Sequence, residues 1–270
     1  DGILKGSGYE RVTAGINLNP SLLNKHLNLN INGKYSYSKT NPGGQSAVGA
    51  AITMDPTRPV KSSDDRFKNW GGYWQWTKSV TEYDPTFPYD RSSEAPSNPV
   101  ELVDHYNFHK SANILLGNVE ADYKIHGFED LHLHVNLAGE YTDGGEYDHK
   151  NPQSTYGFYY GGDSEEKQKK YNVLATAYAQ YTKDFNKANH FDIMAGYEYS
   201  HMKFWGNKWS RSMYPSTNEG KNDKGEALAG TVKSYDTSRY KGQIYLVSWY
   251  GRANYSLLDR YLLTFTARYD

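Results

Sequence analysis

The sequence predicts an all-β protein, an antiparallel transmembrane β-barrel segment of about eight long strands. Apolar and polar residues alternate along eight stretches, which is the period of a strand with one apolar and one polar face. Short and long connections alternate between these stretches, as they do in barrels that span a membrane. Aromatic residues are abundant, with 26 Tyr, although the mean hydropathy is −0.85. A barrel wall with a polar interior and aromatic girdles has this composition.

The composition also excludes several classes of protein. A disordered chain of low hydrophobicity would be poor in aromatics, whereas aromatics make up 15% of this sequence. The 30 basic and 31 acidic residues leave a net charge of −1, so no nucleic-acid partner is predicted. Cysteine is absent, which excludes a disulfide framework and thiolate metal sites. No apolar run reaches the length of a membrane-spanning helix.

The strands follow from the alternation, taken in chain order. In the clearest stretch, Leu27, Leu29 and Ile31 alternate with asparagines. The eight predicted strands cover residues 12–18, 27–37, 115–125, 131–141, 171–181, 191–199, 247–255 and 261–269. Most of them have roughly the 9–11 residues that a tilted membrane strand needs.

Each predicted strand assigns its side chains to two faces, because successive residues point in opposite directions. The side chains expected to face lipid include Leu27, Leu29, Ile31, Val119, Val135, Val173, Ile193 and Leu263. Those expected to face the lumen include Asn30, Asn32, Glu120, His134, Thr176, Glu198 and Arg268. A soluble β-sandwich also alternates, but it has no reason to pair strands this long with such uneven connections.

The connections predict the orientation of the barrel wall. Short turns are predicted at residues 20–25, 126–130, 184–189 and 256–259, and long polar connections at residues 39–109, 143–167 and 203–239. Outer-membrane barrels have short periplasmic turns and long extracellular loops. We therefore interpret residues 1–270 as part of one barrel domain, with residues 39–109 as a long extracellular loop.

Several motifs along the chain resemble one family of membrane barrels. They are Asn98-Pro99-Val100-Glu101-Leu102, Asp122-Tyr123-Lys124-Ile125 with Gly127-Phe128, Ser248-Trp249-Tyr250-Gly251-Arg252-Ala253-Asn254-Tyr255-Ser256, and the run from Asp259 to Asp270. This set is similar to the barrel segment of SusC/RagA-type TonB-linked outer-membrane transporters, and the similarity runs over essentially the whole chain.

The resemblance implies a larger protein than this chain. It implies a plugged barrel of about 22 strands, with an N-terminal plug domain, a segment that contacts the TonB complex and further strands, all absent from these 270 residues. We therefore expect the chain to be a fragment. The resemblance also implies a SusD-like surface lipoprotein as partner, surrounding outer-membrane lipids, and import of oligosaccharides or peptides. The alternative is a stand-alone eight-stranded barrel with a structural or adhesion role, because eight strands can close alone.

The long loop carries the candidate ligand-binding residues Trp70, Tyr73, Trp74, Trp76 and Tyr83. Flat aromatic rings bind the apolar faces of sugars and peptide side chains. The same rings also suit two further roles. A loop of about seventy residues needs its own core to be ordered, and aromatic rings also suit a contact with the partner lipoprotein. The sequence leaves all three roles open.

No metal site, cofactor or catalytic residue is predicted. His132 and His134 share one strand face, and Glu120, Asp122 and Glu140 are expected near them. Two histidines at this spacing could begin a zinc site, but in a wet lumen we interpret them as solvated wall residues. Asp143-Gly144-Gly145-Glu146-Tyr147-Asp148 lacks the spacing of a calcium loop. No nucleophile elbow, phosphate-binding loop or zinc-protease signature occurs, so the chain is not predicted to be an enzyme.

Overall fold

The computed structural model describes residues 4–79, 89–156, 161–186, 188–213, 232–258 and 260–270. The strands are β1 (Gly8–Leu18), β2 (Ser21–Leu22), β3 (Leu27–Asn41), β4 (Thr77–Ser79), β5 (Tyr89–Arg91), β6 (Phe108–Lys124), β7 (Leu131–Lys150), β8 (Gly162–Asn186), β9 (Asn189–Met213), β10 (Val232–Leu257) and β11 (Tyr261–Tyr269). Two α-helices, α1 (Ser46–Thr53) and α2 (Pro99–Asp104), lie between β3 and β6. Among the described residues, no helix has both the length and the apolar character to cross a membrane.

The eight long strands form one antiparallel sheet. They follow the order β1-β3-β6-β7-β8-β9-β10-β11, so each strand pairs with its neighbour in the chain, and β2 adds a short pairing to β3. The registers are continuous over β3, β6 and β7, with Ile31 opposite Val119 and Val119 opposite Leu137. This meander confirms the predicted fold class.

The register separates the two predicted sets of side chains onto opposite faces. Residues directly opposite each other in an antiparallel pair share a face. Ile31, Val119 and Leu137 form one cross-strand row on the apolar face. The next row, with Asn30, Glu120, Asn136, Thr176, Glu198 and Ser248, lies on the polar face. The side chains predicted to face lipid and those predicted to face the lumen therefore lie on opposite faces of the sheet.

Aromatic rows border the apolar band of the sheet. On β8 the band runs from Tyr171 to Tyr181, which matches the roughly 9–11 residues that cross a bilayer. At one border the rings pack across strands: Tyr171 lies 5.2 Å from His201, which stacks on Tyr245 at 4.1 Å. At the other border Phe128 stacks on Tyr181 at 5.6 Å. These rows fit the interface girdles of a membrane barrel.

The strands extend well beyond this band at one end, which corrects two predicted loops. The connection predicted at residues 143–167 spans only residues 151–161, and the one predicted at 203–239 spans residues 214–231. Polar residues stand at both odd and even positions of these extensions, as in Asp163-Ser164-Glu165-Glu166-Lys167-Gln168 of β8, so the alternation that marks a strand is lost. The backbone hydrogen bonds between strands form without apolar side chains. In the extensions, polar side chains also pair across strands: Lys169 lies 3.4 Å from Asp143, and Trp209 Nε1 donates to Glu165 at 2.8 Å.

The sheet is open within the described residues. β1 and β11 lie at its two edges and do not pair with each other. Every residue of β11 is exposed. A closed eight-stranded barrel would instead pair the strand that holds Ile16 with the strand that holds Phe265, so the architecture does not support the stand-alone barrel.

The described residues of the connection 42–107, which are 42–79 and 89–107, form a compact segment with its own small core. It contains α1, a 3-10 helix (Asp65–Trp70), the β4-β5 hairpin and α2, which packs against α1. The buried apolar side chains of the described structure all belong to this segment: Ala47, Phe67, Trp70, Tyr73 and Leu102. The segment lies at the end of the sheet where the other two long connections also lie, because antiparallel strands place alternate connections on the same side.

Candidate ligand-binding surface

The segment 42–107 is organised around Asn98, which begins the family-like motif Asn98-Pro99-Val100-Glu101-Leu102. The Asn98 side chain caps α2 by accepting hydrogen bonds from the backbone N–H groups of Val100 and Glu101. Its amide nitrogen donates to the carbonyl oxygens of Val60, at 2.8 Å, and Trp74, at 3.1 Å. Pro99 suits the first turn of a helix because the missing N–H would have no partner there. Asn98 therefore joins α2 to the backbone at Val60 and at Trp74.

Glu101 joins the same segment to the next long connection. Its side chain is fully buried, at 0% exposure. The carboxylate accepts hydrogen bonds from the backbone N–H of Thr155 at 3.0 Å and from its hydroxyl at 2.9 Å. His105 Nδ1 lies 3.2 Å from the same carboxylate. A buried carboxylate is stable only when it is paired and hydrogen-bonded, so these contacts connect the motif to Thr155 in the next long connection.

Tyr73 and Asp104 form a second polar contact in the segment. The Tyr73 hydroxyl donates to Asp104 Oδ2 at 2.6 Å, and Lys5 Nζ lies 2.9 Å from Asp104 Oδ1. Burial of the ring and the neighbouring carboxylate raise the pKa of Tyr73 to about 12. The hydrogen bonds from Tyr73 and Lys5 lower the pKa of Asp104. Over most of the pH range the pair therefore consists of a neutral phenol and a carboxylate.

Trp74 and Trp76 form the partly exposed aromatic surface of the segment. Both side chains are half-buried, and their rings meet edge to face at 4.9 Å. The guanidinium of Arg58 lies 5.4 Å from the Trp74 ring and 5.1 Å from the Trp76 ring, and Asp55 holds it at 3.1 Å. Two rings, a cation and a carboxylate in one partly open cluster are groups that recognise sugars, peptides or a protein partner.

The five predicted ligand-binding residues thus separate into three groups. Trp70 and Tyr73 are buried, at 7% and 5% exposure, and pack in the loop core. Trp74 and Trp76 keep open surface and remain candidates for ligand or partner contact. Tyr83 lies outside the described residues. The contribution of Arg58 was missed because the cation lies far from the tryptophans in the sequence and nothing there predicts the contact.

The polar face of the sheet carries ordered side-chain networks. Arg268 Nη2 donates to Glu198 at 2.9 Å and to Ser248 Oγ at 2.8 Å, and Ser248 is fully buried. Asp192 accepts hydrogen bonds from Thr182 Oγ1 at 2.9 Å and Asn254 Nδ2 at 3.1 Å. Each network connects three adjacent strands, β9 to β11 in the first and β8 to β10 in the second, and gives the polar face a defined arrangement of side chains.

A cavity of about 360 Å³ lies between the loop segment and the end of β7. Its lining includes His105 and Tyr106 from the segment, His149 from β7 and Tyr156 from the connection 151–161. The Tyr156 hydroxyl donates to Ser46 Oγ at 2.6 Å and so spans from that connection to α1. Two long connections of the chain therefore share one polar, aromatic recess at the same end of the sheet.

Comparisons with known proteins agree with this architecture, although no protein-family model matches the chain. The chain is 38% identical over 272 residues to the TonB-dependent receptor SusC of Bacteroides thetaiotaomicron, covering 100% of this chain and 26% of the relative. It is 26% identical over 273 residues to the TonB-dependent receptor P3 of Formosa agariphila, covering 100% of this chain and 25% of that protein. The chain thus spans about a quarter of the length of the curated relatives it matches.

Solved structures show the same fold. The RagAB peptide transporter superposes on 97% of this chain with a TM-score of 0.64 and 14% identity, and the chain covers 28% of it. The siderophore receptor PiuA from Acinetobacter baumannii superposes on 98% with a TM-score of 0.51 and 10% identity, and the chain covers 35% of it.

The fold and these matches define the class of protein: a TonB-dependent receptor barrel of the bacterial outer membrane. Within that class the chain is a barrel fragment that is similar over its whole length to SusC. The apolar face of the sheet is therefore the lipid-facing side, and the polar face lines the lumen.

Proposed function

We propose that this chain forms part of the barrel wall of an importer that takes up oligosaccharides or peptides together with a SusD-like surface lipoprotein. The identity of 38% to SusC over the whole chain carries the proposal. The open sheet supports it as well. Unpaired strand edges cost several kcal/mol per group in lipid, so β1 and β11 need neighbouring strands. In this proposal the rest of the receptor supplies those strands, the plug and the segment that contacts the TonB complex.

The end of the sheet with the long connections is the outer mouth in this proposal. The strand extensions and the segment 42–107 then rise above the membrane on the extracellular side, where substrate and lipoprotein both pass. The Trp74–Arg58–Trp76 cluster is the surface that meets one of them. Tryptophan offers a large contact area with little loss of side-chain entropy on binding.

Uptake by the intact receptor tests the proposed function. Cells that lack the receptor gene are complemented with the full-length receptor and grown with a panel of oligosaccharides or of peptides as the nutrient. We expect growth on one substrate class to depend on both the receptor and the TonB complex. Growth that is independent of the receptor on every member of both panels would contradict import of these substrates.

Single substitutions in the full-length receptor distinguish the roles of the aromatic residues. For Trp74→Ala and Trp76→Ala we expect weaker binding of the lipoprotein or slower uptake, while the loop stays resistant to proteases. For Trp70→Ala, a matched change in the buried core, we expect faster protease cleavage within residues 42–79 because packing is lost. If Trp74→Ala and Trp76→Ala leave lipoprotein affinity and uptake unchanged, the cluster has no role in recognition.

A further inference from the structure

One cluster of metal-binding side chains lies on the lumen wall, away from the aromatic surface. His132 and His134 are on β7, and Asp122 is on β6 directly opposite His134. The Nδ1 atom of His134 lies 2.8 Å from Asp122, and that of His132 lies 3.3 Å from it. Each of the three residues offers one ligand atom, and these atoms all lie within 4.8 Å of one another. The spacing is that of atoms around a single ion.

The two imidazoles are held in place by the surrounding sheet. The His134 ring stacks on Tyr178 at 4.4 Å and lies nearly parallel to His132 at 5.9 Å. His134 Nε2 is buried and has no hydrogen-bond partner among the described residues. A buried polar atom of this kind is costly unless another group satisfies it. Packing therefore fixes the direction of the rings, and their hydrogen-bonding capacity is only partly used.

The donor set indicates which ions suit the cluster. Two imidazole nitrogens and one carboxylate oxygen are ligands that Zn²⁺ and similar divalent transition metals prefer. Three protein ligands leave further coordination positions for water or for a group from the barrel interior. The ammonium of Lys124, whose residue lies opposite His132, opposes binding of a cation, whereas the carboxylate of Glu120, two residues before Asp122 on the same face, favours it.

We propose that Asp122, His132 and His134 form a binding site for a divalent transition metal of the Zn²⁺ class in the lumen wall. The site lies beside the short turn at residues 125–130, where β6 and β7 are joined, so a bound ion would connect these two strands at the end of the barrel opposite the long loops. Nothing in this proposal depends on the transported substrate.

Metal binding by the full-length receptor tests the proposal. The purified receptor in detergent is stripped with a chelator and titrated with Zn²⁺ alone, and Co²⁺ is used as a spectroscopic probe of nitrogen and oxygen coordination. We expect the wild type to bind one Zn²⁺ more than His132→Gln/His134→Gln does. For Asp122→Asn we expect affinity at this site to fall about tenfold or more, because loss of a direct ligand costs at least as much as loss of its supporting partner.

A matched control is available in the same sheet. His190 Nδ1 lies 2.6 Å from Asp184, and this pair has no second histidine among the metal-binding groups found in the described residues. His190→Gln should leave the Zn²⁺ stoichiometry unchanged. Heat-modified electrophoretic mobility shows whether each variant retains its barrel. Equal Zn²⁺ binding by the folded wild type and the folded His132→Gln/His134→Gln variant would overturn the proposal, as would the absence of binding at micromolar Zn²⁺.

Discussion

At the scale of single residues, buried polar side chains hold together the end of this chain that carries the long connections. Asn98 and Glu101 are almost completely buried, at 1% and 0% exposure, and together they bond to α2, to the backbone near Val60 and Trp74, and to Thr155. Removing one partner of such a contact leaves a buried group without a hydrogen bond, which costs about 1–3 kcal/mol. The contact between Glu101 and Thr155 therefore joins two long connections of the chain.

Replacing Thr155 with valine tests this connection. Thr155→Val removes the hydroxyl that donates to Glu101 Oε2 and keeps the shape of the side chain. We expect the local opening free energy of residues 151–156 to fall by about 1–3 kcal/mol, measured as faster amide hydrogen exchange in that segment. Thr57→Val is the control, since the Thr57 hydroxyl bonds Asp55 at an exposed position. Equal effects of the two changes would contradict a special role for the buried contact.

The Tyr73–Asp104 contact predicts how the loop responds to pH. The pKa of Tyr73 is raised from its ordinary value of 10 to about 12 in the fold. Its contribution to stability is therefore complete below about pH 10 and is lost as the pH rises toward 12. Asp104 has a lowered pKa, so its contribution is present above its ordinary value of 3.8 and is lost on further acidification. The contact is intact across neutral pH.

Cleavage of the full-length receptor by an alkaline protease, followed between pH 8 and pH 11, measures the response to alkali. We expect cleavage within residues 42–79 to accelerate above about pH 10. Tyr73→Phe lacks the ionising hydroxyl, so it should cleave faster than wild type at pH 8 and show a smaller increase toward pH 11. A wild-type pH profile that matches the profile of Tyr73→Phe would show that this phenol does not control the loop.

At the scale of elements, β7, β8, β9 and β10 each combine a membrane-crossing band with an extension beyond it. β8, β9 and β10 have 25, 25 and 26 residues, far more than the roughly 9–11 that a bilayer needs. Within the band, neighbouring residues of one strand contact opposite environments. Val135 lies on the apolar face and Asn136 on the polar face of β7. The same substitution should therefore have different consequences at these two adjacent positions.

A charge introduced at these positions measures that difference. Val135→Lys places an ammonium in the middle of the lipid-facing band, where it costs about 2–4 kcal/mol. Asn136→Lys places the same group in the lumen, opposite Glu120, and should cost much less. Urea-induced unfolding of the full-length receptor in lipid vesicles measures the loss of stability caused by each substitution. Similar losses of stability for the two variants would contradict the assignment of the faces.

At the scale of the whole molecule, the main feature is a sheet that is open within the described residues. β1 and β11 have free edges among the described residues, and lipid does not tolerate free edges. A sheet of eight long strands that covers about a quarter of its relatives fits a wall rather than a closed pore.

Thiol cross-linking in the full-length receptor distinguishes the wall from a closed barrel of eight strands. These 270 residues contain no cysteine, so a pair introduced here has no competing thiol within the sheet. Ala253→Cys with Phe265→Cys is the positive control, because these residues are opposite each other on β10 and β11. We expect this pair to react with a short cross-linker and the pair Ile16→Cys with Phe265→Cys not to react. Efficient linkage of the second pair would indicate that β1 and β11 meet.

The sequence by itself determined the strands inside the membrane, their faces and the alternation of short and long connections. One strong constraint produces these features: every residue in the band meets either lipid or a polar lumen, so the period of two is visible in residues such as Leu29, Asn30 and Ile31. The motifs also identified the family. Beyond the apolar band, residues no longer alternate between lipid and a polar lumen, so the period of two disappears. The sequence therefore predicts loops where β7, β8, β9 and β10 in fact extend as strands.

Only the tertiary structure decided which side chains act together. Trp70 and Tyr73 look equivalent to Trp74 and Trp76 in the sequence, yet the first two are buried and the others share the guanidinium of Arg58. In the same way, the sequence placed three carboxylates near His132 and His134, and strand register selects Asp122, which lies directly opposite His134 and completes the set of three metal-binding groups. The physical reason is that contacts between distant residues depend on register and packing, which local patterns do not encode.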